Sequence, residues 1–203
     1  MLCPYCHSPV SEETPACPRC GLDMDKATAF FGTPPRLHPG LSDATGVLTS
    51  GDSRTIRRGI REFERRFPQL GFTAALLELP RDTPGPTYTW WVFNRCNPAG
   101  ELMQASANRH IFLLVNTTGA GGAWLTCGYG LEPFVGEEQW QECLDKVQPH
   151  FALGQYGPGI TALLKELGTM LRTVVADMPR IFGLFQQPQI TPLPENKAPA
   201  WHQ

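Results

Sequence analysis

Two Cys-Pro-x-Cys pairs, CPYC at residues 3–6 and CPRC at residues 17–20, stand ten residues apart near the start of the chain. Two residues between cysteines let a tight turn bring both sulfurs to one cation, and two such turns supply four thiolates at tetrahedral corners. Four protein ligands leave no coordination position for water or substrate. The spacing therefore predicts a structural Zn²⁺ site in a small ribbon over residues 1–28, formed by Cys3, Cys6, Cys17 and Cys20.

The alternative interpretation of a CxxC motif is a thioredoxin-like redox pair. Neither pair follows a predicted strand or begins a predicted helix, as that mechanism requires, so the sequence favours zinc. Gly21 after the second pair allows the turn its backbone conformation, and His7 occupies the matching place after the first. Because four thiolates already saturate the metal, we expect His7 to be a surface residue beside the site.

The composition argues against several classes of function. A formal net charge of −2 and a pI near 6.2 are unlike a general nucleic-acid binder, so no nucleic acid is expected as partner. No apolar run is long enough for a membrane span, and the start of the chain lacks the apolar core of a secretory signal. The three cysteines outside the motif, Cys96, Cys127 and Cys143, do not make an even disulfide framework. These features together predict a cytoplasmic protein.

The sequence predicts that the rest of the chain divides into a Pro/Gly-rich linker over residues 29–40, a folded domain over 41–178 and a Pro-rich, mostly disordered tail over 179–203. Within the domain, apolar periodicity predicts a helix over 53–67 that Ser50 or Asp52 caps. The same approach predicts a strand over 72–79, a helix over 87–96, a β-hairpin over 110–130, and helices over 137–151 and 160–178. Helices distributed around a few hydrophobic strands predict the α/β class, with a small mixed sheet covered by helices on both faces.

Two further patches have a structural and a functional interpretation each. Six arginines crowd the helix predicted over 53–67, and a phosphate-rich partner is the functional interpretation. Acids interleave with these arginines, so we predict a solvated helix face instead. The segment TYTWWVF at residues 87–93 is either an aromatic ligand platform or core, and packing against the sheet is the favoured interpretation.

Three stretches of the folded domain together resemble the TPM domain family, whose members are often catalogued as TPM phosphatases. They are LSDATGVLT at 41–49, CGYGLEPFV at 127–135 and QPHFALGQYGPGI at 148–160. The resemblance extends from about Leu41 to Leu171. It implies an α/β sandwich with a central sheet of about four strands. It also implies a phosphatase or divalent-metal site around acidic residues just before the second hydrophobic strand.

The acids of that family site are missing here, because the corresponding residues are Ser106, Ala107, Asn108, Arg109 and His110. A Ca²⁺ or Mg²⁺ site needs several oxygen ligands, which this stretch supplies poorly. A cleft remains conceivable if the opening loop and the GYGLE turn meet at the same edge of the sheet. Its catalytic candidates are Asp43, His110 and Glu132, and its candidates for binding a ligand or a second divalent cation are Asp43, Asn108, Gly128, Tyr129, Gly130 and Glu132. The alternative is structural: the glycines permit a tight turn, Tyr129 packs, and the acids cap backbone amides.

Two functional hypotheses follow from these residues. The first is a non-catalytic cytoplasmic interaction or adaptor protein, in which the ribbon and the TPM-like domain bind protein partners. The second is a metal-dependent, phosphatase-like hydrolase that uses the GYGLE loop. The resemblance implies a signal peptide and a C-terminal membrane span in many members of the family. We expect this protein to have the cysteine ribbon in place of those anchors.

Overall fold

The computed structural model describes residues 2–11, 13–98, 107–119 and 122–181, the last five of them as backbone only. Four strands, β1 (Leu41–Asp43), β2 (Gly71–Leu77), β3 (His110–Asn116) and β4 (Gly122–Cys127), form one sheet in that order. Strands β1, β2 and β3 are parallel, and β4 is antiparallel to β3. The predicted mixed four-stranded sheet is therefore confirmed. In chain order, the elements are α1 Met24–Phe31, β1 Leu41–Asp43, α2 Ser50–Arg66, β2 Gly71–Leu77, α3 Gly85–Cys96, β3 His110–Asn116, β4 Gly122–Cys127, a 3-10 turn Tyr129–Leu131, α4 Glu137–Ala152 and α5 Tyr156–Ile181.

Helices cover both faces of the sheet, as the hydrophobic strands predict. Successive side chains of a strand point to opposite faces, so β2 and β3 each contribute to two separate cores. Phe72 and Leu113 pack with α2, α4 and α5 on one face. Phe112 and Leu114 pack with α1 and α3 on the other. The buried faces predicted for α2 and α4 are confirmed; they are formed by Ile56, Ile60, Phe63 and Phe67, and by Trp140, Leu144, Val147 and Phe151.

Helix α2 begins at Ser50, three residues before the predicted start at residue 53, and its N-cap is a different residue. Thr49, rather than Ser50 or Asp52, is the N-cap, and its hydroxyl accepts a hydrogen bond from the backbone N–H of Asp52 at 3.0 Å. The carboxylate of Asp52 reciprocates by accepting from the Thr49 N–H at 3.2 Å. This is a capping box, in which the acid occupies the third helical position and not the cap itself.

Helix α1, which the sequence analysis does not predict, joins the ribbon to the domain. It crosses the boundary placed at residue 28, and Asp23 caps it by accepting a hydrogen bond from the Lys26 N–H at 2.7 Å. Its last residue, Phe31, packs against Trp91 with ring centroids 5.2 Å apart. The Thr87 hydroxyl of α3 donates directly to the carbonyl of Pro4 at 3.0 Å. Helix α1 has eight residues, which are too few to show a helical period, so the apolar pattern of the sequence does not predict it.

Several predictions concern residues that the structure describes only in part. Ser106 and most of the predicted tail, residues 182–203, lie outside the described residues. Helix α5 begins four residues before the predicted closing helix and ends three residues after it, at Ile181. Within the described residues, no helix combines the length and the apolarity that crossing a bilayer would require.

Candidate functional site

The four ribbon cysteines converge on one point. All their Sγ atoms lie within 4.8 Å of one another. The Sγ atoms of Cys3 and Cys20 are 3.7 Å apart, and those of Cys6 and Cys17 are 3.6 Å apart. Zn–S bonds of about 2.3 Å place tetrahedral sulfurs roughly 3.8 Å from one another, so these separations suit a tetrahedral metal–thiolate centre. The four cysteines predicted as ligands are thus arranged so that they could hold a metal ion.

Two equivalent backbone turns hold these cysteines in place. The carbonyl of Cys3 accepts from the His7 N–H at 2.9 Å, and that of Cys17 accepts from the Gly21 N–H at 2.8 Å. His7 and Gly21 both have left-handed backbones, with φ of 56° and 69°. Side-chain and backbone hydrogen bonds from Ser8 lower the pKa of Cys6 to about 6. A backbone hydrogen bond from Leu22 acts to lower the pKa of Cys20, but burial and the three neighbouring cysteines outweigh it and raise that pKa to about 12. Without a cation, Cys6 is therefore the thiolate of the cluster and Cys20 stays protonated.

Asp43 organises the loop between β1 and α2. One carboxylate oxygen accepts from the Gly46 N–H at 2.9 Å and from the Thr45 hydroxyl at 3.0 Å. The other accepts from the Leu48 N–H at 2.9 Å. Local donors therefore occupy both oxygens, and the geometry matches the structural interpretation, in which an acid caps backbone amides.

The GYGLE turn lies against the backbone that precedes β3. The Gly128 N–H donates to the His110 carbonyl at 3.0 Å, and the Gly130 N–H donates to the Asn108 carbonyl at 2.8 Å. A methyl group on Gly128 would collide with the carbonyl oxygen of Ala107, and one on Gly130 would lie 2.7 Å from the Asn108 carbonyl oxygen. The two glycines are thus explained by close backbone approach.

His110 is buried inside the domain, with 4% of its surface exposed. Its Nε2 lies 3.0 Å from Thr73 Oγ1. The Thr73 hydroxyl donates to the Pro98 carbonyl at 3.1 Å, so Nε2 of His110 carries the hydrogen and donates to Thr73. Burial lowers the pKa of His110 to about 4, which keeps the imidazole neutral near neutral pH. His110 thereby links β2, β3 and the end of α3.

The candidate cleft residues do not meet at one edge of the sheet. Asp43 aligns through the ladder with Leu76, Val115 and Ala123, at the carboxyl end of the parallel strands. The GYGLE turn follows β4 at the opposite end, beside His110. Five ladder positions separate the two rows, which is about 17 Å along the strands. The structure brings Asn108, Tyr129 and Glu132 to one groove and leaves Asp43 at the other end of the sheet.

That groove, called the β4 groove below, has a volume of about 680 Å³. It runs along the outer edge of β4, between the ribbon and α3 on one side and α4 on the other. Three tryptophans line it, Trp90, Trp124 and Trp140. Burial raises the pKa of Cys127 in its floor to about 12, with a smaller contribution from the Glu132 carboxylate, so this thiol stays protonated. The sequence analysis missed the groove because its walls come from distant segments, although the half-exposed Trp90 in TYTWWVF is a signal for it.

Acidification is expected to destabilise the domain through His110. Its pKa is 6.5 in an ordinary environment and about 4 here, so between these values the unfolded chain binds a proton that the folded chain does not. The stability that depends on neutral His110 is complete above pH 6.5 and is lost as the pH falls through that window, by up to about 1.4 kcal/mol per pH unit. Denaturant unfolding from about pH 7 to about pH 4.5 should show a shallower loss for His110→Gln. Both proteins keep the ribbon, so any loss of stability caused by release of a metal in acid is the same in the two. If the unfolding free energy falls equally steeply with pH in both, His110 does not have this role.

A four-stranded mixed sheet between two helical layers, with the GYGLE turn anchored beside β3, defines an α/β sandwich. The chain belongs to the TPM domain family, whose sequence model matches residues 41–170. No curated protein matched the chain in a sequence comparison.

Solved structures of similar fold come from several bacteria. The N-terminal domain of a protein from P. gingivalis superposes with a TM-score of 0.53 at 17% identity, over 67% of this chain and 83% of its own. The BA42 protein of Bizionia argentinensis gives 0.51 at 16% identity, over 64% and 86%. The N-terminal domain of the cg2496 protein of Corynebacterium glutamicum gives 0.50 at 12% identity, over 68% and 83%. At these identities the likeness shows the fold alone.

Proposed function

We propose that this protein is a non-catalytic cytoplasmic adaptor, in which a structural zinc ribbon and a TPM domain bind protein partners. The observation that carries the proposal is the separation of the acids Asp43 and Glu132, which lie at opposite ends of the sheet. A divalent-cation site of the kind implied by the family resemblance needs several oxygen ligands around one ion. Local backbone donors already hold the Asp43 carboxylate.

The ribbon supports the same proposal. Four thiolates complete a tetrahedral shell, so the metal would be structural and would leave no position for a substrate. Zinc is the proposed ion because it is the usual partner of four cysteines at tetrahedral positions. The cysteines, with their converging sulfurs, would hold the ion, and the bound ion would hold residues 3–20 in one conformation.

A phosphatase-like hydrolase remains the second candidate, because Asn108, Tyr129 and Glu132 share the β4 groove. In that case Glu132 of the GYGLE loop is the candidate for proton transfer. Asp43 belongs to a different part of the molecule.

A phosphomonoester assay on the purified full chain, with and without Mg²⁺ or Ca²⁺, separates the two candidates. We expect no turnover above the blank for the wild type, Asp43→Asn or Glu132→Gln. The matched control is Glu62→Gln, which removes an exposed acid from α2, far from the groove. Turnover that Glu132→Gln abolishes and Glu62→Gln preserves would instead establish the hydrolase.

A further inference from the structure

In the described part of the chain, no strand pairs with the outer edge of β4. Because the Gly128 N–H donates to the His110 carbonyl, alternate residues of β4 bond to β3, and Leu125 and Cys127 direct their N–H and C=O groups away from it. Among the described residues, no backbone group bonds to those of Leu125 or Cys127 on this side. Such an edge is a template on which another extended segment can pair.

The β4 groove has a wall on each face of the sheet. On one face of β4, the wall is formed by α3, which contributes Trp90, and by the ribbon, which contributes Pro4. On the other face it is formed by α4, which contributes Trp140. The Trp124 indole is fixed in the wall because it packs on the backbone of Gly85, where a methyl group would collide with it. A segment lying in the groove would therefore continue the sheet while its side chains contact a wall on either face.

The carboxylates that line the groove give it a negative charge. Of the residues that line it, Glu132 and Glu137 are acidic, and none is lysine or arginine. The α4 side continues into an exposed acidic surface formed by Glu138, Glu142 and Asp145. Complementary charge favours a basic occupant and disfavours an acidic one.

We infer that the β4 groove binds an extended, lysine- or arginine-rich segment of a partner protein, which adds to the sheet as a fifth strand beside β4. The inference deepens the proposed adaptor function and rests on it. Side chains of a strand alternate between faces, so the fitting pattern places large apolar residues toward Trp90 and Trp124 and basic residues toward α4. Main-chain hydrogen bonds to Leu125 and Cys127 would supply affinity, and the two walls would supply specificity.

Fluorescence anisotropy with synthetic peptides and the full chain tests this inference. The probe is a labelled peptide of about seven residues in which valine or phenylalanine alternates with lysine, a length that matches β4. We expect it to bind and to bind more weakly as salt is added, and the same peptide with glutamate for lysine to bind at least about tenfold more weakly. Glu137→Lys should weaken binding about three- to tenfold, whereas Glu62→Lys on α2 should change it less than about twofold.

Backbone methylation distinguishes strand addition from side-chain docking. N-methylation of the alternate residues that face β4 should abolish binding, and methylation of the other set should change it less than about twofold. In hydrogen exchange followed by NMR, the amides of Leu125 and Cys127 should become protected when the peptide binds.

Several results would overturn the inference. They are absence of peptide binding, equal binding of the acidic peptide, and equal tolerance of both methylation patterns. Protection of Leu125 and Cys127 before the peptide is added would assign the edge to another part of this chain, and a dimer that the peptide dissociates would assign it to a second copy. If one of these results disproves the inference, the adaptor proposal is still tenable, because partners can bind through the ribbon. Hydrolysis in the phosphatase assay would instead remove the adaptor proposal.

Discussion

Cys17→Ser is expected to abolish stoichiometric metal binding and to unfold the ribbon while the TPM domain stays folded. Structural zinc contributes apparent binding free energies of about 10–16 kcal/mol in small zinc modules, and the ribbon has little other core. Elemental analysis should find about one zinc per wild-type chain and clearly less in the variant. NMR signals of residues 2–22 should collapse toward random-coil positions, whereas those of β2 and β3 should move little.

Cys96→Ser is the matched control for this experiment. Cys96 lies outside the cluster, and its thiol donates to the Pro35 carbonyl at 3.1 Å. The control should keep the zinc content and the ribbon signals of the wild type. Iron in place of zinc, or a wild-type chain without metal whose ribbon is nonetheless ordered, would contradict the assignment of a structural zinc ion.

Gly128→Ala is expected to have the second largest effect, a destabilisation of about 3 kcal/mol. The added methyl group meets the carbonyl oxygen of Ala107, a backbone atom that cannot rotate away as a side chain would. In a chain of this size the change corresponds to a melting temperature lower by roughly 10 °C, which differential scanning calorimetry measures directly.

Gly168→Ala makes the same chemical change where the structure has room for it. Gly168 lies within α5, and a methyl group there meets no heavy atom within 4 Å. Alanine is the better helix former, so this variant should be more stable than the wild type by about 0.5–1 kcal/mol. Similar destabilisation by both substitutions would show that the close approach at Gly128 is not what requires glycine.

The sequence predicts the elements that have strong periodicity and misses the short ones. Helix α2 and strand β3 are long enough to show a period of 3.6 or an unbroken apolar run, and both are found where predicted. Helix α1 and the three-residue strand β1 carry too few residues for any period. Their positions depend on distant contacts such as that between Phe31 and Trp91.

In the candidate site, too, the sequence predicts what depends on local spacing and misses what depends on distant contacts. Metal-ligand spacing is a local property, so residues 3–20 suffice to bring the four cysteines together. Whether Asp43 meets Glu132 depends on strand order and direction, which no local pattern contains. The antiparallel direction of β4 carries the GYGLE turn to the far end of the sheet, and the β4 groove exists only once that topology is formed.

The glycines of the QYGPGI segment carry a consequence for the family as a whole. A methyl group on Gly157 would collide with the Asp52 carboxylate that completes the α2 cap, and one on Gly159 would lie 2.6 Å from the Phe151 ring. Glycines of the signature therefore lie where other parts of the domain pass close to the backbone, as Gly128 does beside Ala107. Selection for tight packing alone can preserve such a signature. A match to it then reports a shared architecture, and catalysis has to be demonstrated separately for each member.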